Sequence, residues 1–461
     1  MKKILFVFLF LFGLLIVNGQ IWSPVGNGIK GIINSFAIYN GELFIGGQLY
    51  YPGCTQPIVL VKWDGASFDT LPGTHYFGSS NIMDMAVYNN ELYVTGYFSK
   101  YNHAKFNYIA RWNGANWDSV GSGFNNWTDA LGVYNGNLYI GGYMSMTGTT
   151  PVNGIAKWNG NQWSAVGNGM QGTSFVYALE EYNNELYVAG NFGINSSYAI
   201  ARWNDTIWRD VGPLGINGVV NCLGKYNNEL YAGGPYFTSA GGVAVNQIAK
   251  WSGTTWASTG NGTGNNTTDK IRSLQEYHNE IYVGGTFSKM DGDSMKCIAR
   301  YNGSNWTSVG SGVDSMGVIR DTVFTFPSDT TLVYPISVIN AMIEFNNDLY
   351  VGGTFNMIGG VNAINIAKWN DLVNVDRYSL TKQLSISPNP FSTTTQITLS
   401  QTYHTISLSV YDMQGKLVAQ NQYADADKIQ LNHNKLTNGM YFLKLIMDDK
   451  EIATGKIVVS D

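Results

Sequence analysis

Residues able to do chemistry are sparse in this chain, and they do not gather. Of its five histidines, only His75, His103 and His278 precede residue 371. A copper or zinc centre wants several such ligands at close spacing, and these three lie apart. No HExxH, no GxSxG nucleophile turn and no phosphate-binding loop occurs. Asp291-Gly292-Asp293-Ser294 has the composition of a calcium turn, although short acidic turns are common. Cys54, Cys222 and Cys297 form an odd, scattered set, which is no disulfide framework. Cys222 falls on a strand position that alanine holds in other copies of a repeat, as suits a small buried hydrophobe. No catalytic residue, metal ligand or cofactor is expected.

What remains is charge and aromatic surface. A cation recurs at Lys62, Arg111, Lys157, Arg202, Lys250, Arg300 and Lys368, and an acid at Glu42, Glu91, Glu185, Glu229, Glu280 and Asp348. An anion-binding ring would use such cations, but regular recurrence favours ion pairs internal to each copy. Of 13 tryptophans, Trp127 alone stands off the repeat. With Tyr50, Tyr51, Tyr97, Tyr101, Tyr143 and Tyr236 it lies in the variable connections. Aromatics there suit stacking on a sugar or a protein partner, or simply plug the mouth of a ring. The net charge of −5 offers no basic footprint for nucleic acid.

The elements that must position these side chains are set by repetition. A phrase of the form Tyr-Asn-x-Glu-Leu-Tyr-x-Gly-Gly opens at Tyr39, Tyr88, Tyr134, Tyr182, Tyr226, Tyr277 and Phe345. A second, Ile-Ala-Lys/Arg-Trp, closes at Trp63, Trp112, Trp158, Trp203, Trp251, Tyr301 and Trp369. A period of about 50 residues is that of a propeller blade of four strands. Asn-Gly, Asn-Asn and Asp-Gly pairs make the tight turns. All of these fall on one rim, which leaves the long connections, and function, to the other. The last copy lacks its Trp-x-x-Val-Gly strand, and Trp22-Ser23-Pro24-Val25-Gly26 supplies that phrase at the start of the mature chain. Trp22, Val25 and Gly26 are therefore expected to close the ring and remove two open sheet edges.

Lys2-Lys3 followed by the apolar run to Val17 reads as a signal peptide over residues 1–19, and no later segment has the length of a membrane helix. Residues 314–335 are an insertion that looks like an extra hairpin. A linker over 372–383 leads to short alternating runs at 396–399, 406–411, 417–420, 428–431, 441–447 and 452–459. Runs so spaced suggest a small antiparallel sandwich over 384–461. The expected fold is all-β: a seven-bladed β-propeller over 20–371 closed by its N-terminal strand, then a small immunoglobulin-like β-sandwich.

Two resemblances add to this reading. The diglycines (Gly46-Gly47, Gly141-Gly142, Gly284-Gly285, Gly352-Gly353), the strand-three aromatic and the strand-four Trp resemble the kelch-type propeller. Strand three departs from that family in carrying Trp rather than Tyr in six of the seven copies, Tyr301 being the exception. The tail resembles the type A C-terminal sorting domain of the type IX secretion system. Its motifs are Pro388-Asn389-Pro390, then Tyr411-Asp412 with Gly415-Lys416, then Gly439, Tyr441 and Lys444, then Lys456. That resemblance implies the type IX machinery as partner, export to the surface or beyond, and removal of the tail. The function expected is a secreted or surface-attached, non-catalytic binding propeller for a glycan or protein. The alternatives are a polysaccharide-active enzyme, which needs carboxylates or a histidine converging at the axis, and a structural surface component.

Overall fold

The computed structural model describes residues 21–50, 58–72, 77, 80–98, 106–195, 197–264, 268–314, 337–370, 385–412, 416–433, 436–448 and 451–460. The expected signal peptide, the linker and all but Asp314 of the insertion lie outside the described residues, as do Tyr51, Tyr101, His75, His103, Cys54 and Gly415. The chain is all-β and divides into two compact units, residues 20–371 and a second formed by the C-terminal segment from Leu372.

Among the described residues of the first unit, seven four-stranded antiparallel sheets follow one another along the chain. Sheet three shows the pattern, with Thr128–Tyr134, Asn137–Gly142, Ile155–Trp158 and Trp163–Ala165 joined in that order. The innermost strands of the other six, in chain order, are Lys30–Tyr39, Asn81–Tyr88, Gln171–Tyr182, Cys222–Tyr226, Ile271–Tyr277 and Val338–Phe345. Each innermost strand packs on those of the sheets before and after it, and that of sheet seven packs on that of sheet one. The fourth strand of sheet seven is Ile21–Pro24, paired with Ile366–Asn370 so that Trp22 opposes Trp369.

The repeated residues are spent on holding these sheets together. Asn40 and Gly41, at φ of +52° and +79°, take the left-handed conformation that a two-residue turn demands. At Gly141 a Cβ would lie 2.3 Å from Val176 of the next sheet, and at Gly352 it would lie 2.6 Å from Ile33 of sheet one. The first glycine of the pair is thus needed for the close approach of neighbouring sheets. Tyr134 and Tyr182 donate their hydroxyls to Asn184 O and Asn228 O in the turn of the following sheet, at 3.0 and 2.8 Å. The strand-four indoles donate backwards: Trp163 to Val120 O at 2.9 Å, Trp208 to Val166 O at 3.1 Å and Trp256 to Val211 O at 2.8 Å. Trp22 does the same, to Val309 O of sheet six at 3.2 Å.

The recurrent charges pair within their own sheets: Lys62–Glu42, Arg111–Glu91, Arg202–Glu185, Lys250–Glu229, Arg300–Glu280 and Lys368–Asp348, at 2.7–3.1 Å. Half-exposed pairs contribute about 0–1 kcal/mol each. They orient strands more than they stabilise them.

In the tail the expected six short strands of a two-sheet sandwich give way to one continuous sheet. The runs at 396–399 and 406–411 belong to a single strand, Thr394–Tyr411, and those at 417–420 and 428–431 to another, Leu417–Asn432. The two pair along their length, with a register shift between Thr398 and Tyr403. Alternation is lost at that irregularity while backbone pairing continues beyond it, which is why the pattern suggested separate strands. One half of Thr394–Tyr411 also pairs with Ser385–Ser387, and the other with Gly439–Met447, which in turn pairs with Glu451–Val459. A bridge from Phe391 to Val459 nearly closes the sheet on itself.

Candidate functional site

Five residues before each turn aromatic, the repeat carries Asn34, Met83, Asp129, Tyr177, Asn221, Arg272 and Asn340. No two neighbours in this series share a residue type until the ring returns from Asn340 to Asn34. In six of the seven sheets the ladder between the first two strands skips that residue: the register steps past Asn34, Met83, Asp129, Tyr177, Arg272 and Asn340. In sheet five the strand begins just after Asn221. A bulged residue has no cross-strand partner and leaves the in–out alternation of its strand. All seven line one cavity of 580 Å³ at the meeting point of the innermost strands.

Asparagines and an aspartate fix part of this wall. Asn340 Nδ2 donates to Ile33 O at 3.0 Å, and Asn34 Nδ2 donates to Asn81 Oδ1 at 2.7 Å and Ile82 O at 3.0 Å. Asp84 joins three sheets. Its Oδ1 accepts from Ser35 Oγ at 3.0 Å and Met85 N at 2.8 Å, and its Oδ2 accepts from Leu131 N at 2.8 Å. Burial nevertheless pushes its carboxyl up to about 6. Asp129, 9% exposed, is also pushed up to about 6, chiefly by burial and further by the charge of Asp84, while a 2.9 Å hydrogen bond from Tyr97 opposes the shift. The Tyr97 hydroxyl is raised in turn by burial and by the Asp129 charge.

From Tyr97 an aromatic ladder crosses the edge of sheets two to four. Tyr97 and Trp127 lie 5.3 Å apart, Trp127 and Tyr143 6.3 Å, Tyr143 and Phe175 4.5 Å in a stack, and Phe175 and Tyr177 6.0 Å. Trp127 is 47% exposed. The opposite wall is basic. Arg272 lines the cavity with an exposed side chain, and partial desolvation by the surrounding protein lowers its pKa. No hydrogen bond or ion pair holds its guanidinium among the described residues. Lys270 lines the same wall, with its Nζ 5.9 Å from the ring centroid of Tyr236. Phe36, Leu179, Leu223, Leu274 and Met342, two residues further along each strand, make the apolar floor.

Of the aromatics singled out from sequence, the fold therefore gathers Tyr97, Trp127 and Tyr143. Tyr50 ends the second strand of sheet one opposite Lys30, and Tyr236 stands in the connection between the second and third strands of sheet five, its ring 5.9 Å from Lys270 Nζ. Sequence reasoning missed Asp84, Asp129, Tyr177, Asn221 and Arg272. For Asp129, Tyr177, Asn221 and Arg272 the signal was a strand position whose chemistry changes from copy to copy; Asp84 stands one residue further on, where the other copies carry Ser, Ala or Cys. His278 sits in a tight turn, stacked on Tyr277, and Asp291 accepts from Asn261 N at 2.7 Å.

In the tail the motif residues are bonded to one another. Asn389 Nδ2 donates to Lys456 O and its Oδ1 accepts from Val458 N, both at 2.8 Å. Pro388 O accepts from Thr395 Oγ1 at 2.6 Å, and Pro390 follows in the same turn. Asp412 Oδ1 accepts from Lys416 N at 2.9 Å, and the Tyr441 hydroxyl donates to Thr437 O at 2.7 Å. Tyr411 pairs with Phe442, Lys444 with Ser409, and Gly439 opens the last hairpin opposite Val459. Residues 385–460 match the family described as the secretion system C-terminal sorting domain. The tail is a type IX sorting domain. It implies interaction with the secretion machinery and export to the cell surface or outside. No helix among the described residues is long and apolar enough to cross a membrane.

A comparison with curated proteins gives no match. Among solved structures the chain is similar to the extracellular domain of a hybrid two component system from B. thetaiotaomicron, at 12% identity and a TM-score of 0.45 over 96% of this chain. The chain spans 59% of that relative's length. It is also similar to a fungal alcohol oxidase in complex with copper, at 11% identity and a TM-score of 0.45, covering 96% of this chain and 100% of the other.

Proposed function

We propose that residues 20–371 form a seven-bladed, kelch-like β-propeller closed by Ile21–Pro24, and that it is an exported, non-catalytic binding module. Its ligand, a glycan or a protein segment, enters the axial cavity from the long-connection rim past Trp127. The signal peptide over 1–19 starts export and the sorting domain completes it, after which the tail is removed. The observation that carries the binding role is the division of labour among residues. The residues that repeat serve turns, sheet contacts and ion pairs, while a variable position of each inner strand, the one from Asn34 to Asn340, lines a shared cavity.

Catalysis by paired carboxylates, as in glycoside hydrolysis, needs both groups free to exchange protons or attack. Asp84 has both oxygens occupied by donors from three sheets, which leaves Asp129 alone. The test is a screen of soluble glycans and peptides against the wild type and a Trp127→Ala, Tyr143→Ala double variant. At least a tenfold loss of affinity is expected for whichever ligand binds, and unchanged affinity would remove the rim aromatics from the site.

A further inference from the structure

The two charged walls of the cavity cannot neutralise each other. Asp129 belongs to sheet three and Arg272 to sheet six. Two sheets separate them one way around the ring of inner strands and three the other way. Asp129 is enclosed by protein while Arg272 is exposed on the cavity wall, and neither forms an ion pair among the described residues. Unpaired charge held out of bulk water is costly, and that cost is offset only when a counter-charge arrives. Asp129 keeps one oxygen clear of the Tyr97 hydroxyl, and Tyr97 and Tyr177 line the cavity with it. A buried carboxylate among aromatic residues is a site for a cation, above all an ammonium group. The Arg272 fork with Lys270 beside it is a site for a carboxylate or phosphate. The apolar floor suits a hydrocarbon body between the two, and 580 Å³ is the size of a small-ligand site.

We infer that the cavity takes a small zwitterion, with its ammonium group on the Asp129–Tyr97–Tyr177 wall and its acid group on Arg272 and Lys270. This rests on the cavity being a ligand site, as proposed above, and narrows the chemistry of what enters it. Free peptide ends and amino-sugar acids both carry that pair of charges, and the experiment separates them.

Full-length chain is titrated calorimetrically with a mixed tripeptide pool in four forms: free, N-acetylated, C-amidated and doubly capped. Muramic acid and a neutral oligosaccharide mixture are run beside it. Binding of the free pool identifies peptide ends, and binding of muramic acid identifies the amino-sugar acid. For a peptide, N-acetylation should weaken binding at least tenfold in the wild type but not in Asp129→Asn. C-amidation should do so in the wild type but not in Arg272→Gln. For muramic acid, the two substitutions should each weaken binding at least tenfold. Both variants are first shown to unfold cooperatively like the wild type. Binding that is indifferent to capping, or confined to the neutral sugars, overturns the zwitterion while leaving a ligand-binding cavity. No binding by any probe overturns the zwitterion and counts against the binding module as well.

Discussion

Two aspartates with the same titration behaviour carry opposite expectations. Asp129 is held near 6, above the ordinary carboxylate value of 3.8, so the native chain binds its proton more tightly than the unfolded chain does. Between about 4 and 6 the native state then holds more proton than the unfolded state, and stability rises as pH falls through that window. At neutral pH the ionised group costs the fold up to about 3 kcal/mol. Asp129→Asn should accordingly raise the unfolding free energy at pH 7.5 by about 1–3 kcal/mol, and the gain should fade below pH 4. Thermal unfolding at the two pH values checks this; a variant less stable at pH 7.5 would mean that Asp129 serves the scaffold. Asp84 is the contrast. Asp84→Ala strands Ser35 Oγ, Met85 N and Leu131 N, and each buried donor left unmet costs about 1–3 kcal/mol. A loss of at least about 2 kcal/mol is expected. Sequence alone could not separate the two, because their roles differ by which neighbouring sheet supplies the donors.

At the scale of strands the sequence was informative wherever a residue recurred. Turn asparagines, diglycines and paired tryptophans gave strand order and the rim of tight turns, because each performs the same local task in every sheet. It was less informative where pairing outran the pattern, as in Thr394–Tyr411, whose polar middle hides a continuous strand. The bulges were also hidden, since nothing in Ile-Arg-Ser or Val-Tyr-Ala announces that a residue drops out of register. The N-terminal strand offers the sharpest test. Trp22 packs on Trp369 at 5.0 Å as Trp163 packs on Trp158 at 5.1 Å, and both indoles donate to a carbonyl of the preceding sheet. If Ile21–Pro24 is an ordinary fourth strand, Trp22→Ala and Trp163→Ala should cost the same, about 3–5 kcal/mol each. A much smaller loss for Trp22→Ala in denaturant titration would make the N-terminal strand a loose flap. Deleting residues 21–28 should lower the melting temperature further still, by exposing an edge on sheet seven.

Across the whole molecule, the export signal lies in the tail, and the proposed ligand site lies in the other unit, which has its own core. Among the described residues the tail has an apolar cluster of its own, from Phe391, Ile397 and Leu408 to Tyr441, Leu445 and Val459. The first unit has clusters of its own between neighbouring sheets, again among the described residues. One of them joins Val25 and Tyr350 to Ile33 and Leu43, so sheet seven is packed on sheet one without help from the C-terminus. Burial of this kind is the main term in folding, so each unit has what it needs to fold without the other. A chain ending at Asp371 should keep the melting temperature and ligand affinity of the full-length protein while failing to reach the medium or cell surface. The complementary chimera, residues 1–20 and 372–461 around an unrelated folded reporter, should be exported. Cell fractionation with immunoblotting reads both. Export of the truncated chain would show that the first unit carries its own address, and loss of its melting transition would show that the sorting domain also supports the fold.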